Sequence, residues 1–436
     1  MLKAMPHISW PMRFVLPYSS EMRFDSDTPT SRLLTWFMPW MKGRRPAWLI
    51  RLGLFMYDHL GGRDILPSTQ TLDLRVGEEG APLHDRFEMA YEYSDCWVED
   101  ARLVMLNARD AQERGAQIMT RCRVTSAKRR GELWYIETEQ GEFTARNLVN
   151  AGGPWVANIL SGVLNQKSHA GIRLVRGSHI VTKRLFEHDK CYFFQGIDGR
   201  IIFAIPYEQD YTLIGTTDAE HVDPDNTPKI SDEERDYLCK FASDYFKEPI
   251  TVDDVVWTYS GVRPLYDDGA ASATAATRDY VLDLDDKGAP LLSIFGGKIT
   301  TYRKLAQRAL AKLELGEDWT ATVPLPGGDF PVDGVHDLID GLCADYPFLN
   351  KKWAARLVRA YGTEARIWLG NAKNANDLGQ DFGAGLTEAE LRWMMTREFA
   401  QTAEDALWRR TKLGLRLTDK QIETVDTWMQ SEGNAG

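Results

Sequence analysis

Leu148-Val149-Asn150-Ala151-Gly152-Gly153-Pro154-Trp155 is a short apolar run that ends in paired glycines. The apolar start predicts a buried strand over Asn147 to Asn150. The glycines let backbone pass close to a ligand beyond the strand's carboxyl end, which is where open α/β sheets bind. A plain strand-to-helix turn would use the same glycines, so this stretch alone leaves both readings open.

A second run has the same grammar: Ser293-Ile294-Phe295-Gly296-Gly297-Lys298-Ile299-Thr300-Thr301-Tyr302-Arg303-Lys304. It predicts a strand, a Gly-Gly turn and a helix from near Thr300. The start of such a helix offers free N–H groups and a partial positive charge to an anionic edge. Gly297-Lys298 is not part of a P-loop, because the leading glycine and four-residue spacer are absent before it.

Cations gather around this second run: Arg263 in Gly261-Val262-Arg263-Pro264-Leu265, Arg278 in Thr277-Arg278-Asp279-Tyr280, and Lys298. Two guanidiniums and an ammonium in one pocket would suit a phosphate. Surface salt bridges to Asp267, Asp268 and Asp279 are the other reading. His179, in Gly177-Ser178-His179, can accept a proton near neutral pH, or can simply satisfy backbone groups.

Around these motifs the chain reads as α/β (α+β). Asp100 to Arg114 has helical spacing and stops at Gly115, while Gln117 to Val124 and Trp134 to Thr138 alternate like strands. Several β-like runs between Ile180 and Thr216 predict an antiparallel sheet. The Pro-rich segment Pro324 to Pro331 predicts a linker, and Asp337 to Met429 has the three-and-four apolar spacing of a separate helical domain.

At 436 residues the chain needs two or three cores. With 43% hydrophobic and 26% charged residues it carries no disorder signature. The five cysteines are scattered without a C-x-x-C pair, which argues against a disulfide framework and a metal cluster and fits a cytoplasmic setting. A net charge of -11 disfavours nucleic acid as a partner. Against that balance, Arg32, Lys42, Arg44, Arg45 and Arg51 stand without acidic neighbours among Trp36, Phe37, Trp40 and Trp48.

Several longer strings are shared with one family. These are Leu52 to Leu60, Glu92 to Val98, Gly171 to His179, Ile214-Gly215-Thr216-Thr217-Asp218, Trp257 to Leu265, Phe295 to Leu305 and Asp405 to Lys412. Together the chain resembles, nearly end to end, the FAD-dependent, quinone-linked glycerol-3-phosphate dehydrogenases. That resemblance implies a glutathione-reductase-type FAD domain, an antiparallel β substrate domain and a C-terminal helical domain. The segments it implies are 1–96 (FAD-domain remnant plus a substrate-domain or lid segment), 97–155 (FAD domain), 156–289 (β-rich substrate domain), 290–315 (FAD-domain return) and 330–436 (helical domain).

The implied reaction is oxidation of sn-glycerol 3-phosphate to dihydroxyacetone phosphate, with hydride passing to FAD and electrons to ubiquinone. By resemblance Ala151, Gly152, Gly153, Pro154 and Trp155 lie along the FAD, Val124 lies near its adenosine half, and Gly296, Gly297, Lys298, Ile299, Thr300 and Thr301 meet its ring. Arg263, Arg278, Lys298 and Thr216 are implied to contact substrate, and His179, Arg263 and Lys298 to take part in the chemistry. A homodimer is compatible with this picture, as is peripheral contact of Arg32 to Tyr57 with the inner face of the cell membrane. A buried lid helix is the other use of that stretch.

One departure qualifies the resemblance. The family's opening strand, G-x-G-x-x-G turn and helix are not found in these residues, so an amino-terminally shortened chain with an incomplete FAD domain and weak or absent FAD binding is expected. An oxidase that uses O₂ and a non-catalytic fragment remain the alternatives.

Overall fold

Long runs of alternating apolar residues and two short apolar runs divide the strands of this protein into two kinds of sheet. The computed structural model describes residues 4–18, 47–59, 66–166, 171–196, 200–267 and 279–433. In chain order the strands are β1 (Ser9–Tyr18), β2 (Gln70–Asp73), β3 (Met89–Val98), β4 (Val124–Arg130), β5 (Leu133–Thr138), β6 (Gly141–Ala145) and β7 (Leu148–Asn150). They continue as β8 (Gly171–Lys183), β9 (Cys191–Gln195), β10 (Ile201–Tyr207), β11 (Tyr211–Gly215), β12 (Ala219–Glu220), β13 (Val255–Asp267), β14 (Tyr280–Asp285) and β15 (Leu291–Gly296).

The large sheet has the order β12-β8-β11-β10-β9-β1-β3-β2, with β13 also paired to β8. Its pairs of known register are antiparallel, as expected, except that β1 runs parallel to β9. One face is closed by the helix Asp232–Ser243, which buries Leu238, Phe241 and Ala242 against Ile180, Tyr192, Phe194, Ile202 and Ile214. Burying each large apolar side chain there stabilises by about 1.5–3 kcal/mol. The helix begins with a capping box: Ser231 accepts from the Glu234 amide, and the Glu234 side chain accepts from the Ser231 amide.

The second kind of sheet is small. β15 lies between antiparallel β14 and parallel β7, with Leu291 opposite Leu148 and Ser293 opposite Asn150. Parallel pairing sends the carboxyl ends of β7 and β15 out on one side. A core of Trp134, Val156, Leu160, Leu291 and Phe295 packs this sheet against the three-stranded sheet β4-β5-β6. Gln117 to Arg123, expected to be a strand, is irregular, with left-handed backbone at Gly115 and Arg121.

The chain divides into two compact units. One comprises Met1–Pro11, Cys96–Arg121 and Trp319–Gly436, and the other Met12–Asp95 and Cys122–Asp318. The first is helical, with helices Asp100–Glu113, Val335–Asp345, Lys351–Tyr361, Glu388–Arg397 and Asp419–Gly433. Its cores gather Leu357, Tyr361 and Trp393 in one cluster and Leu391, Leu407 and Val425 in another. These contact units cut across the segments drawn from the sequence, whose boundaries were functional divisions.

Candidate active site

The two glycine turns emerge at neighbouring positions because their strands are parallel and in register. Asn150, buried at the end of β7, shapes the first turn: its side-chain amide donates to the Val156 carbonyl (2.9 Å) and its Oδ1 accepts from the Gly152 amide (3.3 Å). A Cβ on Gly152 would come within 2.4 Å of Ile159 Cδ1, and Gly153 follows with φ +55°. In the second turn Gly296 and Gly297 have φ +71° and +111°, which only glycine adopts readily. Lys298 follows with its side chain exposed, then a 3-10 turn Ile299–Thr301 that leads into the helix Tyr302–Lys312.

β13 ties these turns to the cations. It touches the Gly153–Trp155 turn and β15, and a Cβ on Gly296 would lie 3.5 Å from the Tyr266 amide nitrogen. Three residues before Tyr266, the Arg263 side chain crosses β8 at Gly177, where a Cβ would meet its guanidinium at 2.4 Å. The loop after β11 holds that guanidinium. Nη1 donates to Asp218 Oδ1 (2.6 Å) and the Thr217 carbonyl (3.4 Å), and Nη2 donates to Thr216 Oγ1 (3.0 Å).

Arg263 is therefore ion-paired, but to Asp218 rather than to the nearer-in-sequence Asp267 or Asp279. Its side chain stays 36% exposed. With five N–H donors, it retains donors for a ligand.

His179 stands on the same strand as Gly177. Its ring stacks on Tyr259 (centroids 4.8 Å, planes 9° apart) and lies over Gly215, where a Cβ would be 2.1 Å from its Cδ2. Its Nδ1 is buried without a hydrogen-bond partner among the described residues. Burial first, and then the Arg263 charge, lower its pKa from 6.5 to about 4, so the imidazole is neutral at pH 7.

The structure thus brings together His179, Thr216 and Arg263, and sets Ala151 to Trp155 beside Gly296 to Thr301. Val124 is elsewhere: it opens β4, exposed, opposite Thr138. Arg278 lies outside the described residues, as do Arg32, Trp36, Phe37, Trp40, Lys42, Arg44, Arg45 and Asp268. Sequence reasoning passed over Asp218 and Thr217, although both stand in the Ile214 to Asp218 string. It also passed over Glu234, whose signal was the capping box Ser231-Asp232-Glu233-Glu234.

Glycine turns at parallel strand ends, a partly exposed arginine and a histidine with a buried, unpartnered ring nitrogen thus stand on adjoining strands. Residues 5–303 match the family described as FAD dependent oxidoreductase, and residues 319–432 match the C-terminal domain of alpha-glycerophosphate oxidase. The aerobic glycerol-3-phosphate dehydrogenase of Escherichia coli (strain K12) is 43% identical over 98% of this chain and 83% of its own length. The D-erythritol 1-phosphate dehydrogenase of Brucella abortus (strain 2308) is also 43% identical, over 99% of this chain and 84% of its own. A solved glycerol-3-phosphate dehydrogenase from Bacillus halodurans, complexed with FAD, superposes with a TM-score of 0.71 at 22% identity, covering 100% of this chain and 81% of that one. The chain belongs to the FAD-dependent glycerol-3-phosphate dehydrogenase family.

The expected fold class, α/β with an antiparallel substrate domain and a C-terminal helical domain, holds, and FAD is the family's cofactor. Neither turn admits a side chain at its first glycine, where a Cβ would meet Ile159 Cδ1 (2.4 Å, from Gly152) or the Asp279 carbonyl (2.8 Å, from Gly296), and Trp155 and Ile299 stand exposed beside them at 43% and 40%, a glycine-backed surface that fits a flat ring.

Proposed function

We propose that this protein oxidises sn-glycerol 3-phosphate at its secondary alcohol to dihydroxyacetone phosphate and passes the electrons on to a quinone. FAD, when bound along Ala151–Trp155 and Gly296–Thr301, supplies the hydride acceptor. The observation that carries the reading is the pairing of a half-exposed, rigidly held Arg263 with the unpartnered Nδ1 of His179, on strands that lead to the glycine turns. Arg263, with Arg278 and Lys298 as the further cations, grips the phosphate or polarises the alcohol oxygen. Thr216 orients Arg263 and faces the substrate, and His179 takes the alcohol proton, for which its neutral state at pH 7 suits it. Val124 is assigned to the adenosine half of the cofactor.

The test is the pH profile. With His179 as acceptor at a pKa of about 4, kcat/KM stays flat as pH falls from 8 to 6 and drops only nearer pH 4. A drop centred near 6.5 would contradict the assignment. Peroxide release in place of quinone reduction would turn the reading to an oxidase.

A second substrate reading has a specific support, since a relative of equal identity bears the name of a D-erythritol 1-phosphate dehydrogenase. Both substrates are phosphorylated polyols and share the anionic head. The ratio of kcat/KM for the two separates them.

One further part of the proposal has its own test. The helix Ala47–His59 exposes Trp48 (62%), Leu52, Phe55 (53%) and Met56, which supports interfacial contact with a membrane over a buried lid. No described helix is long and apolar enough to cross one. Flotation with anionic liposomes tests the contact, and failure to co-migrate would end it.

A further inference from the structure

Beneath Arg263 and His179 lies a polar layer that the reaction itself does not use. Glu234 sits at the first turn of the helix Asp232–Ser243 with its side chain mostly buried. Its Oε1 accepts from Thr217 Oγ1 (2.6 Å) and Ser178 Oγ (3.2 Å), and its Oε2 accepts from Arg176 Nη2 (2.7 Å) and the Ser231 amide (2.9 Å). Thr217 Oγ1 in turn accepts from the Ser178 amide (3.0 Å). Burial raises the carboxyl's pKa, but the bonds from Thr217, Ser231 and Arg176 outweigh it, and the group is held below its usual value as an anion.

Both ends of this network are residues of the site. Thr217 is the middle residue of the loop that accepts three hydrogen bonds from Arg263, and Ser178 precedes His179 on β8. A capping box needs only the Ser231 bond. The other three bonds fix the loop and the strand to each other.

We infer that Glu234 is a positioning residue: it sets the Thr216–Asp218 loop against β8, and so aims the Arg263 guanidinium at the substrate's phosphate beside His179. This rests on the function proposed above. A loop released by loss of Glu234 would leave Arg263 charged and paired to Asp218 but no longer fixed relative to His179, and a displacement of that kind weakens an oriented anion contact.

The full chain tests this with four variants: Glu234→Gln, Glu234→Asp, Thr217→Val and Ser231→Ala. Gln keeps the size but points an amide donor at Arg176 or at Thr217. Ser231→Ala damages the helix cap without touching Thr217, and controls for a merely structural loss. Binding of sn-glycerol 3-phosphate by calorimetry and KM against kcat are read alongside hydrogen exchange of the peptides spanning Leu174–Ile180 and Leu213–Glu220.

In Glu234→Gln the expected result is exchange in both peptides at least tenfold faster than in Ser231→Ala. Substrate Kd and KM rise about tenfold with a smaller change in kcat, Glu234→Asp recovers part of the loss, and little further loss appears when Gln is combined with Thr217→Val. Equal exchange and equal Kd in Glu234→Gln and Ser231→Ala would overturn the inference. An Arg263→Ala arm separates the two levels: if it leaves Kd unchanged, or if the unaltered chain binds no sn-glycerol 3-phosphate, the proposed function fails and the exchange arm alone decides on Glu234. If Arg263→Ala weakens binding while Glu234→Gln does not, only the positioning role fails.

Discussion

Glu398 in the helical unit and Glu234 in the sheet unit are both carboxylates withdrawn from water to hold arginines, and they end differently. Glu398 takes Arg102 in a two-pronged pair (2.8 and 3.0 Å), accepts from Trp393 Nε1 (3.3 Å), and has both partners' side chains almost wholly buried. Glu390 does the same with Arg356 and the Tyr361 hydroxyl. These networks close on themselves. The one that starts at Glu234 stays open: through Thr217 it reaches Arg263, whose guanidinium still faces outward. A closed pair maintains structure, because losing one partner strands a buried charge. An open one presents a cation to a ligand in a fixed direction.

The largest expected effect breaks the closed side. Glu398→Ala leaves Arg102 buried and unpaired and should cost about 3–5 kcal/mol in urea unfolding, with the KM of the folded fraction unchanged. Arg263→Ala should do the reverse. Half-exposed, it should change stability by less than about 1 kcal/mol, while KM for sn-glycerol 3-phosphate rises roughly 10- to 100-fold with the loss of a charged hydrogen-bond donor. If Arg263→Ala instead unfolds the protein and spares KM, the distinction between the two networks disappears.

The same contrast holds for two histidines. His7, fully buried in the helical unit with neither ring nitrogen partnered, has its pKa lowered from 6.5 to about 3 by burial, then by Arg102 and Arg359. A depressed histidine favours the folded state only while neutral, so its contribution is complete above pH 6.5 and is lost as pH falls toward 3. At pH 5 that loss is about 2 kcal/mol relative to pH 8. Unfolding midpoints of the unaltered chain and of His7→Gln at the two pH values read it, and equal slopes would contradict it. The smallest effect sharpens the comparison: Ser231→Ala should cost about 1 kcal/mol as a lost helix cap and leave KM alone.

What the sequence carried was local. Paired glycines after apolar runs marked both turns, and the spacing of Leu357, Ala360 and Tyr361 marked a helix. Partner choice over distance was not legible. Nothing local says that β7 pairs with β15 in parallel, which is what places Gly152 near Gly296. Asp267 and Asp279 looked like partners for Arg263 because they are close in sequence, yet antiparallel β8 and β11 deliver Asp218, 45 residues away. Gln117 to Arg123 alternates like a strand and has no strand partner among the described residues, so its pattern stays a loop.

The central claim is that Arg263 and His179 face one substrate beside the two glycine turns. A crystal structure of the flavin-loaded protein with sn-glycerol 3-phosphate tests it directly. The expected result is phosphate oxygens within hydrogen-bond distance of Arg263 and the secondary hydroxyl beside a ring nitrogen of His179. A phosphate bound away from Arg263, or a hydroxyl beyond the reach of His179, would contradict it.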